Sequence, residues 1–302
     1  YVQIADALYE SEVLNILVWD AGMKARAAEL CEKRGIDLKR INFHITDYAD
    51  VWIRDYGPIF LVNNGKKQAA MAHWIFDSWG EKYEDLITDT RIPSVINQKL
   101  QLTCFMPGIV LEGGSVDVNG RGTLLTTEQC LLSRNPHLPR KEIERYLADY
   151  FGVNHVVWLK GGVAGDDTDG HVDNVARFVN PTTVVCAYEE DEKDENHSIL
   201  KENYEILLRS TDQDGNKLNI IKLPMPGFVG DGKDRLPASY LNFYVGNGAV
   251  LVPVFGHAND RSALNAIQEV FRTKKVVGIN CVDLVYGLGT IHCITQQQPA
   301  AK

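Results

Sequence analysis

The feature that most limits what this chain can fold into is a unit of roughly sixty residues that recurs along its length. Each copy reads as two strands joined by a tight turn, then a helix, then a third strand. In the first full copy, apolar runs over 52–62 and 67–75 flank Asn63-Asn64-Gly65. Asn-Gly between two such runs is the strongest short-range hairpin signal. Runs over 111–118 and 122–127 then flank Asn119-Gly120, followed by a helix over 140–150 and a strand over 153–159. Runs over 171–179 and 183–188 flank Asn180-Pro181, before a helix over 198–210 and a strand over 218–223. Runs over 240–245 and 249–255 flank Gly246-Asn247-Gly248, before a helix over 260–271 and a strand over 275–280. Near the start lie a strand over 13–19, a helix over 21–34 stopped by Gly35, and a strand over 38–45. Alternating strands and helices alone suggest a parallel doubly wound sheet. A hairpin inside every unit points instead to small mixed sheets repeated around an axis. The expected fold is an α/β propeller of about five units, forming one domain over 1–302.

In a rotational array, equivalent positions converge on the axis. The residues at the head of each hairpin are Asp55, Glu112, His171 and Asn242, and Cys293 follows at the end of the chain. Their separations by subtraction are 57, 59, 71 and 51 residues. Two carboxylates, an imidazole, an amide and a thiol would then line one pocket, with no phosphate cradle among them.

This set matches one kind of substrate. A guanidinium is planar, stays protonated at physiological pH and offers N–H donors in a fork that fits carboxylates. Charge-assisted hydrogen bonds of this kind contribute about 1.5–3 kcal/mol each. Resonance makes the central carbon a poor electrophile, so a thiolate attacks better than water and divides hydrolysis into two easier steps. Free cysteine titrates near 8.5, and a neighbouring cation, either imidazolium or the substrate itself, favours its thiolate. A histidine near both sulfur and leaving nitrogen can protonate departing ammonia, then deprotonate water.

Composition is compatible with that reading. The net charge of −9 argues against a non-specific nucleic-acid binder and mildly favours a cationic substrate. No apolar run approaches the roughly 18 residues that span a membrane. Cys31, Cys104, Cys130, Cys186, Cys281 and Cys293 are scattered, without a C-x-x-C pair. That disfavours structural zinc and a disulfide framework, and suggests reduced thiols in a cytoplasmic protein. The charge run over 189–197 is expected to be a solvated loop.

Each residue has an ordinary alternative. A lone buried cysteine is usually a small hydrophobe, but Cys293 follows Gly287-Leu288-Gly289, and glycines permit close approach of backbone to a ligand. His171 and Asp173 would share one face of a strand, while His292 would point away from Cys293 and be structural. Asp173 could merely orient His171; a substrate clamp is the preferred reading. Asp55 could pair with Arg54, yet it heads the turn Asp55-Tyr56-Gly57-Pro58, suited to a guanidinium clamp. Glu112 lies in an apolar run before two glycines, costly for an unpartnered carboxylate. Trp52 could be core or could stack on a cation. Asn242 is either a substrate ligand or a turn cap. The other five cysteines read as structural.

The segments Trp52-Ile53-Arg54-Asp55-Tyr56-Gly57-Pro58, Leu111-Glu112-Gly113-Gly114-Ser115, Asp169-Gly170-His171-Val172-Asp173-Asn174 and Ile291-His292-Cys293-Ile294-Thr295-Gln296-Gln297 resemble the agmatine deiminase family, which includes the bacterial peptidylarginine deiminase type. The stretch 126–136, Thr-Thr-Glu-Gln-Cys-Leu-Leu-Ser-Arg-Asn-Pro, is similar too. The resemblance runs from about Val51 to the C-terminus. It implies the fivefold propeller of the pentein superfamily, Cys293 as nucleophile, His171 as general acid and base, and Asp55 and Asp173 as clamps with Glu112 beside them. It implies neither metal nor organic cofactor. Family members carry an N-terminal segment rich in Trp and Pro ahead of Tyr1. Many agmatine deiminases have Glu before Thr-Asp-Gly-His, suited to the substrate's far amine, where this chain has the shorter Asp167. The expected reaction is agmatine to N-carbamoylputrescine and ammonia through a thiouronium on Cys293. The rivals are deimination of peptidyl or free arginine, amidino transfer to an amine, and a catalytically dead guanidine-binding module. The partner expected is a small guanidine, not nucleic acid or membrane, and a homo-oligomer stays open.

Overall fold

The computed structural model describes residues 1–63 and 65–301. Asn64, the centre of the expected turn Asn63-Asn64-Gly65, lies outside the described residues. Five separate sheets are present. β1 (Leu14–Val18) and β2 (Ile41–Ile45) pair in parallel. Four three-stranded sheets follow in chain order. They are β3 (Ile59–Asn63), β4 (Gln68–Ala72) and β5 (Thr103–Phe105); then β6 (Asp117–Val118), β7 (Thr123–Thr127) and β8 (His155–Leu159). Next come β9 (Ala176–Asn180), β10 (Thr183–Tyr188) and β11 (Asn219–Pro224), and last β12 (Tyr244–Val245), β13 (Ala249–Val254) and β14 (Lys275–Asn280).

In all four, the first strand pairs antiparallel with the second, which pairs parallel with the third. Only a crossover can join parallel neighbours, and helices fill that role: Ile92–Leu100, Arg140–Phe151, His197–Arg209 and Asp260–Val270. Ala21–Lys33 does the same between β1 and β2. The expected five-unit α/β propeller is therefore the fold. Local chemistry explains the helix ends. The Asp20 side chain accepts from the Met23 N–H at one start. Gly35 (φ 80°) and Gly152 (φ 67°) adopt the left-handed conformation just past two ends.

β7 and β13 are covered on both faces: β7 is buried throughout, as are the first five residues of β13. Helical residues four apart complete the cover, with Ile143 and Leu147 fully buried against Leu124 and Trp158. Burying each such side chain contributes about 1.5–3 kcal/mol.

The expected first strands are too long. The head of each contains a short helical turn instead: Ile53–Tyr56, Gly113–Ser115 and Val172–Asn174, while only Tyr244–Val245 of 240–245 is strand. The expectation that His171 and Asp173 lie on one face of a strand is thus corrected. They flank Val172 at a 3-10 turn, and both are completely buried. Among the described residues no strand follows Cys293, so the sheet of β1 and β2 has two strands. Among the described residues no helix is long and apolar enough to cross a membrane.

Arg177, on β9, stitches three neighbouring units. Its Nε donates to Asp117 Oδ2 at 2.5 Å, and its Nη1 donates to the Leu241 and Phe243 carbonyls at 3.1 Å each. Arg177→Met strands the largely buried Asp117 carboxylate. It is expected to cost about 3–5 kcal/mol in urea unfolding, part of it recovered by adding Asp117→Asn. A loss below about 1 kcal/mol in the single variant would show that the stitch is dispensable.

Candidate active site

The helical turns deliver Asp55, Glu112, His171 and Asp173 to one buried point. Gly114 marks it. A Cβ on Gly114 would lie 2.5 Å from His171 Nδ1, 2.9 Å from Asp55 Oδ1 and 3.1 Å from Asp173 Oδ2. Only a residue without a side chain fits between these three groups. Gly113 is equally confined, against the Arg54 carbonyl. The two glycines after Glu112 are therefore spacing elements of the site.

Each acidic group has its own support. Asp55 Oδ2 accepts from Trp79 Nε1 at 3.0 Å, and Oδ1 from the Gly114 N–H at 3.1 Å. Burial still raises the Asp55 carboxyl, against the pull of His171. Glu112, with no exposed surface, receives Arg134 Nε on Oε1 at 2.7 Å. Burial would raise it, but His171 and Arg134 together hold it below the ordinary value. Asp173 Oδ2 lies 2.7 Å from His292 Nδ1, while its buried Oδ1 has no hydrogen-bond partner within the described protein. Burial pushes Asp173 up to about 7, against the pull of His171.

The His171 ring stands between carboxylates, Nδ1 at 3.7 Å from Asp55 Oδ1 and Nε2 at 3.9 Å from Glu112 Oε2. Burial alone would lower it, yet Asp55, then Cys130 and Glu112, carry it well above the ordinary value. It is an imidazolium. His292 goes the other way. Burial first, then Arg177 and Arg54, hold it well below its ordinary value, so it is neutral. When Asp173 is ionised it can only accept, and His292 Nδ1 is then the donor to Oδ2. His292 holds Asp173 Oδ2 in place.

Cys293 is buried on a turn at the chain's far end. Arg54 does not pair with Asp55. Instead its backbone N–H donates to the Cys293 carbonyl at 3.0 Å, its Nε to the His292 carbonyl at 3.2 Å, and its Nη1 to Gln297 Oε1 at 2.8 Å. Burial, followed by Asp173 and Asp55, pushes the Cys293 thiol far up. Asn242 Nδ2 lies 3.2 Å from the sulfur. Expected at the substrate, Asn242 reaches the thiol instead.

A cavity of about 210 Å³ opens onto Cys293, Asp55, Trp52, Trp79 and Asp167. Trp52 Nε1 donates to Asp50 Oδ2 at 3.1 Å. The glycines before Cys293 line the same cavity and also lie tight against Trp52: Cβ atoms at 287 and 289 would come within 2.9 and 2.5 Å of its ring. At the other wall, Asp167 accepts from the Tyr83 hydroxyl and lies 3.5 Å from Lys82 Nζ. That bond to Asp167, with burial, pushes the Tyr83 phenol up to about 12.

Several residues of the site carried no signal of their own. Arg134 binds Glu112, Asp169 Oδ2 (2.7 Å) and the Thr168 carbonyl (2.9 Å). Only its place in the stretch 126–136 pointed to it. Asp166 accepts the Gly170 and His171 N–H groups at 3.0 and 3.2 Å. Cys130, read as structural, places Sγ 3.9 Å from Glu112 Oε2. Cys130, Glu112 and His171 offer sulfur, oxygen and nitrogen within 4.8 Å of one another, a donor set open to a soft divalent ion. The Arg134 cation on Glu112 and the imidazolium of His171 both oppose one there.

Residues 1–299 match the family model of the Porphyromonas-type peptidyl-arginine deiminases. The chain belongs to this family. It is 38% identical over 302 residues to a Legionella pneumophila (strain Paris) protein assigned as an agmatine deiminase, covering 99% of this chain and 85% of that one. The agmatine deiminase of Enterococcus faecalis, solved catalysing its reaction, superposes with a TM-score of 0.91 at 34% identity, over 100% of this chain and 87% of that one. A Cys-to-Ser variant of C. jejuni agmatine deiminase with substrate bound gives a TM-score of 0.88 at 29% identity, over 98% and 85%. The fold is thus the pentein propeller of these enzymes.

Gly114→Ala tests the convergence. Its methyl group must displace His171, Asp55 and Asp173, and misplacement by about 1 Å costs about 100-fold in rate. Turnover should fall by at least that factor while circular dichroism stays that of the parent. Retained turnover would mean that these groups do not act together.

Proposed function

We propose that this deiminase hydrolyses agmatine to N-carbamoylputrescine and ammonia, with residues 1–302 forming one catalytic domain in the cytoplasm. The observation that carries the site assignment is Asp173 Oδ1, a buried carboxylate oxygen without a partner, beside an imidazolium and a thiol. A planar cation rich in donors supplies what that oxygen lacks.

Asp55 and Asp173 hold the guanidinium, and its charge reverses the field that keeps Cys293 a thiol. The thiol loses its proton to solvent, and the ionised sulfur attacks the central carbon as a C–S bond forms. His171 gives its proton to one terminal nitrogen, the C–N bond breaks, and ammonia departs from an S-alkylthiouronium. Neutral His171 then takes a proton from water as the water attacks, and the C–S bond breaks, the departing sulfur taking up the proton that the new hydroxyl loses, to release the ureido product. Glu112, steadied by Arg134, holds the ring in place and stabilises its charged form. Trp52 walls the site, and Asp167 faces the far ammonium.

Ammonia release from agmatine, free arginine and a C-terminal arginine peptide tests the substrate, with agmatine expected to turn over fastest. Mass spectrometry of a rapidly quenched reaction should find the adduct on Cys293, and Cys293→Ala should release no ammonia. Activity surviving in that variant sinks the mechanism.

A pH dependence follows from Asp173. Protonation removes half of the cation clamp, and this carboxyl titrates at about 7. Below that pH, KM for agmatine should climb by up to about tenfold per unit. Asp173→Asn should have a raised KM that no longer changes over that range.

A further inference from the structure

The Cys293 sulfur touches one group to which the mechanism above gives no task, the side-chain amide of Asn242. Asn242 is buried at 1% exposure. Its Nδ2 lies 3.2 Å from Sγ and 3.1 Å from Asn174 Oδ1. Its Oδ1 accepts from Thr290 Oγ1 at 2.6 Å and from the His292 backbone N–H at 3.0 Å. A backbone N–H can only donate, so the atom facing it must be the amide oxygen. Rotating the amide by half a turn would set its N–H groups against that donor and its oxygen against Asn174 Oδ1. The orientation is therefore locked, with an N–H on the sulfur.

This matters because of what else surrounds the sulfur. Asp55 and Asp173 serve the cationic substrate, but both oppose a negative sulfur. Burial, then these two carboxylates, hold Cys293 as a thiol, while the Thr290 backbone and the Asn242 side chain pull the other way. A thiol can still donate to Asn242 Oδ1, 3.5 Å away. A thiolate can only accept, and the locked N–H is the donor in place for it. Both ends of the Asn242 amide are already engaged.

We propose that Asn242 is a catalytic residue that donates a hydrogen bond to the ionised sulfur of Cys293, with Thr290 and Asn174 as the positioning residues that aim it. The assignment rests on Cys293 being the nucleophile. Thr290→Val would remove one of the two bonds that hold Oδ1 and so loosen the aim of the amide, and Asn242→Asp would keep its shape while replacing the donor by a carboxylate.

The test is the rate at which iodoacetamide, a neutral probe, alkylates Cys293 in the full chain without substrate between about pH 6 and 9. Peptide mass spectrometry separates Cys293 from the other thiols. A tenfold smaller thiolate population, partly offset by the greater nucleophilicity of a more basic thiolate, slows alkylation roughly threefold. Asn242→Asp should slow it at least that much across the range, and Thr290→Val in the same direction by less. In turnover of agmatine, kcat should fall in both variants with KM little changed. If Asn242→Asp does not fold, Thr290→Val carries the test alone. Unchanged alkylation rates overturn the proposal, as does a rise in KM at constant kcat, which would make Asn242 a substrate ligand. Ammonia release by Cys293→Ala is a separate outcome, because it removes the nucleophile itself and not only its donor.

Discussion

Three carboxylates, Asp55, Glu112 and Asp173, are held out of water around one glycine, and the rest of the molecule is arranged to permit it. An isolated carboxylate in a protein interior either finds compensation or takes a proton. The three are treated differently. Glu112 has a guanidinium and remains ionised. Asp55 has an indole N–H, a backbone N–H and an imidazolium. Asp173 has a neutral histidine on one oxygen and nothing on the other, and it alone rises to about 7. The least compensated carboxylate is the one assigned to the incoming cation.

The same arithmetic sets the state of the sulfur. A free enzyme with a permanent thiolate here would add another negative charge to an already crowded interior. Keeping the nucleophile protonated until a cation arrives avoids that cost, and it leaves the resting thiol a weak target for stray electrophiles. The imidazolium of His171 belongs to the same balance, because the carboxylates that hold it charged also make it available as an acid before it is needed as a base.

Much of this was legible in the amino-acid sequence, for an identifiable reason. Hairpin signals such as Asn119-Gly120 are local, and a repeat of local signals defines the propeller and brings the heads of its units to the axis. Asp55, Glu112, His171 and Cys293 could be found that way. The turns that aim them could not, because Ile53–Tyr56 and Val172–Asn174 look like the openings of strands until the neighbours that bury them are present. Arg134 and Trp79 were hidden for another reason. Neither occupies a repeated position, and their value comes from a partner 22 or 24 residues away whose need for them appears only in three dimensions. The glycines at 287 and 289 show how one signal can answer to two neighbours: they line the cavity and also lie against Trp52.

Arg54 joins residues 238 and 243 positions further along the chain. Closing so long a loop carries an entropic cost that short-range elements do not repay until they have formed. Each three-stranded sheet can assemble from its own stretch of chain, whereas the turn bearing the sulfur is stapled on across nearly the whole sequence. Closure of the ring is therefore the natural last event of folding. Until then the polypeptide holds imidazole and carboxylates without their nucleophile, so chemical competence arises in a single late step and not by degrees.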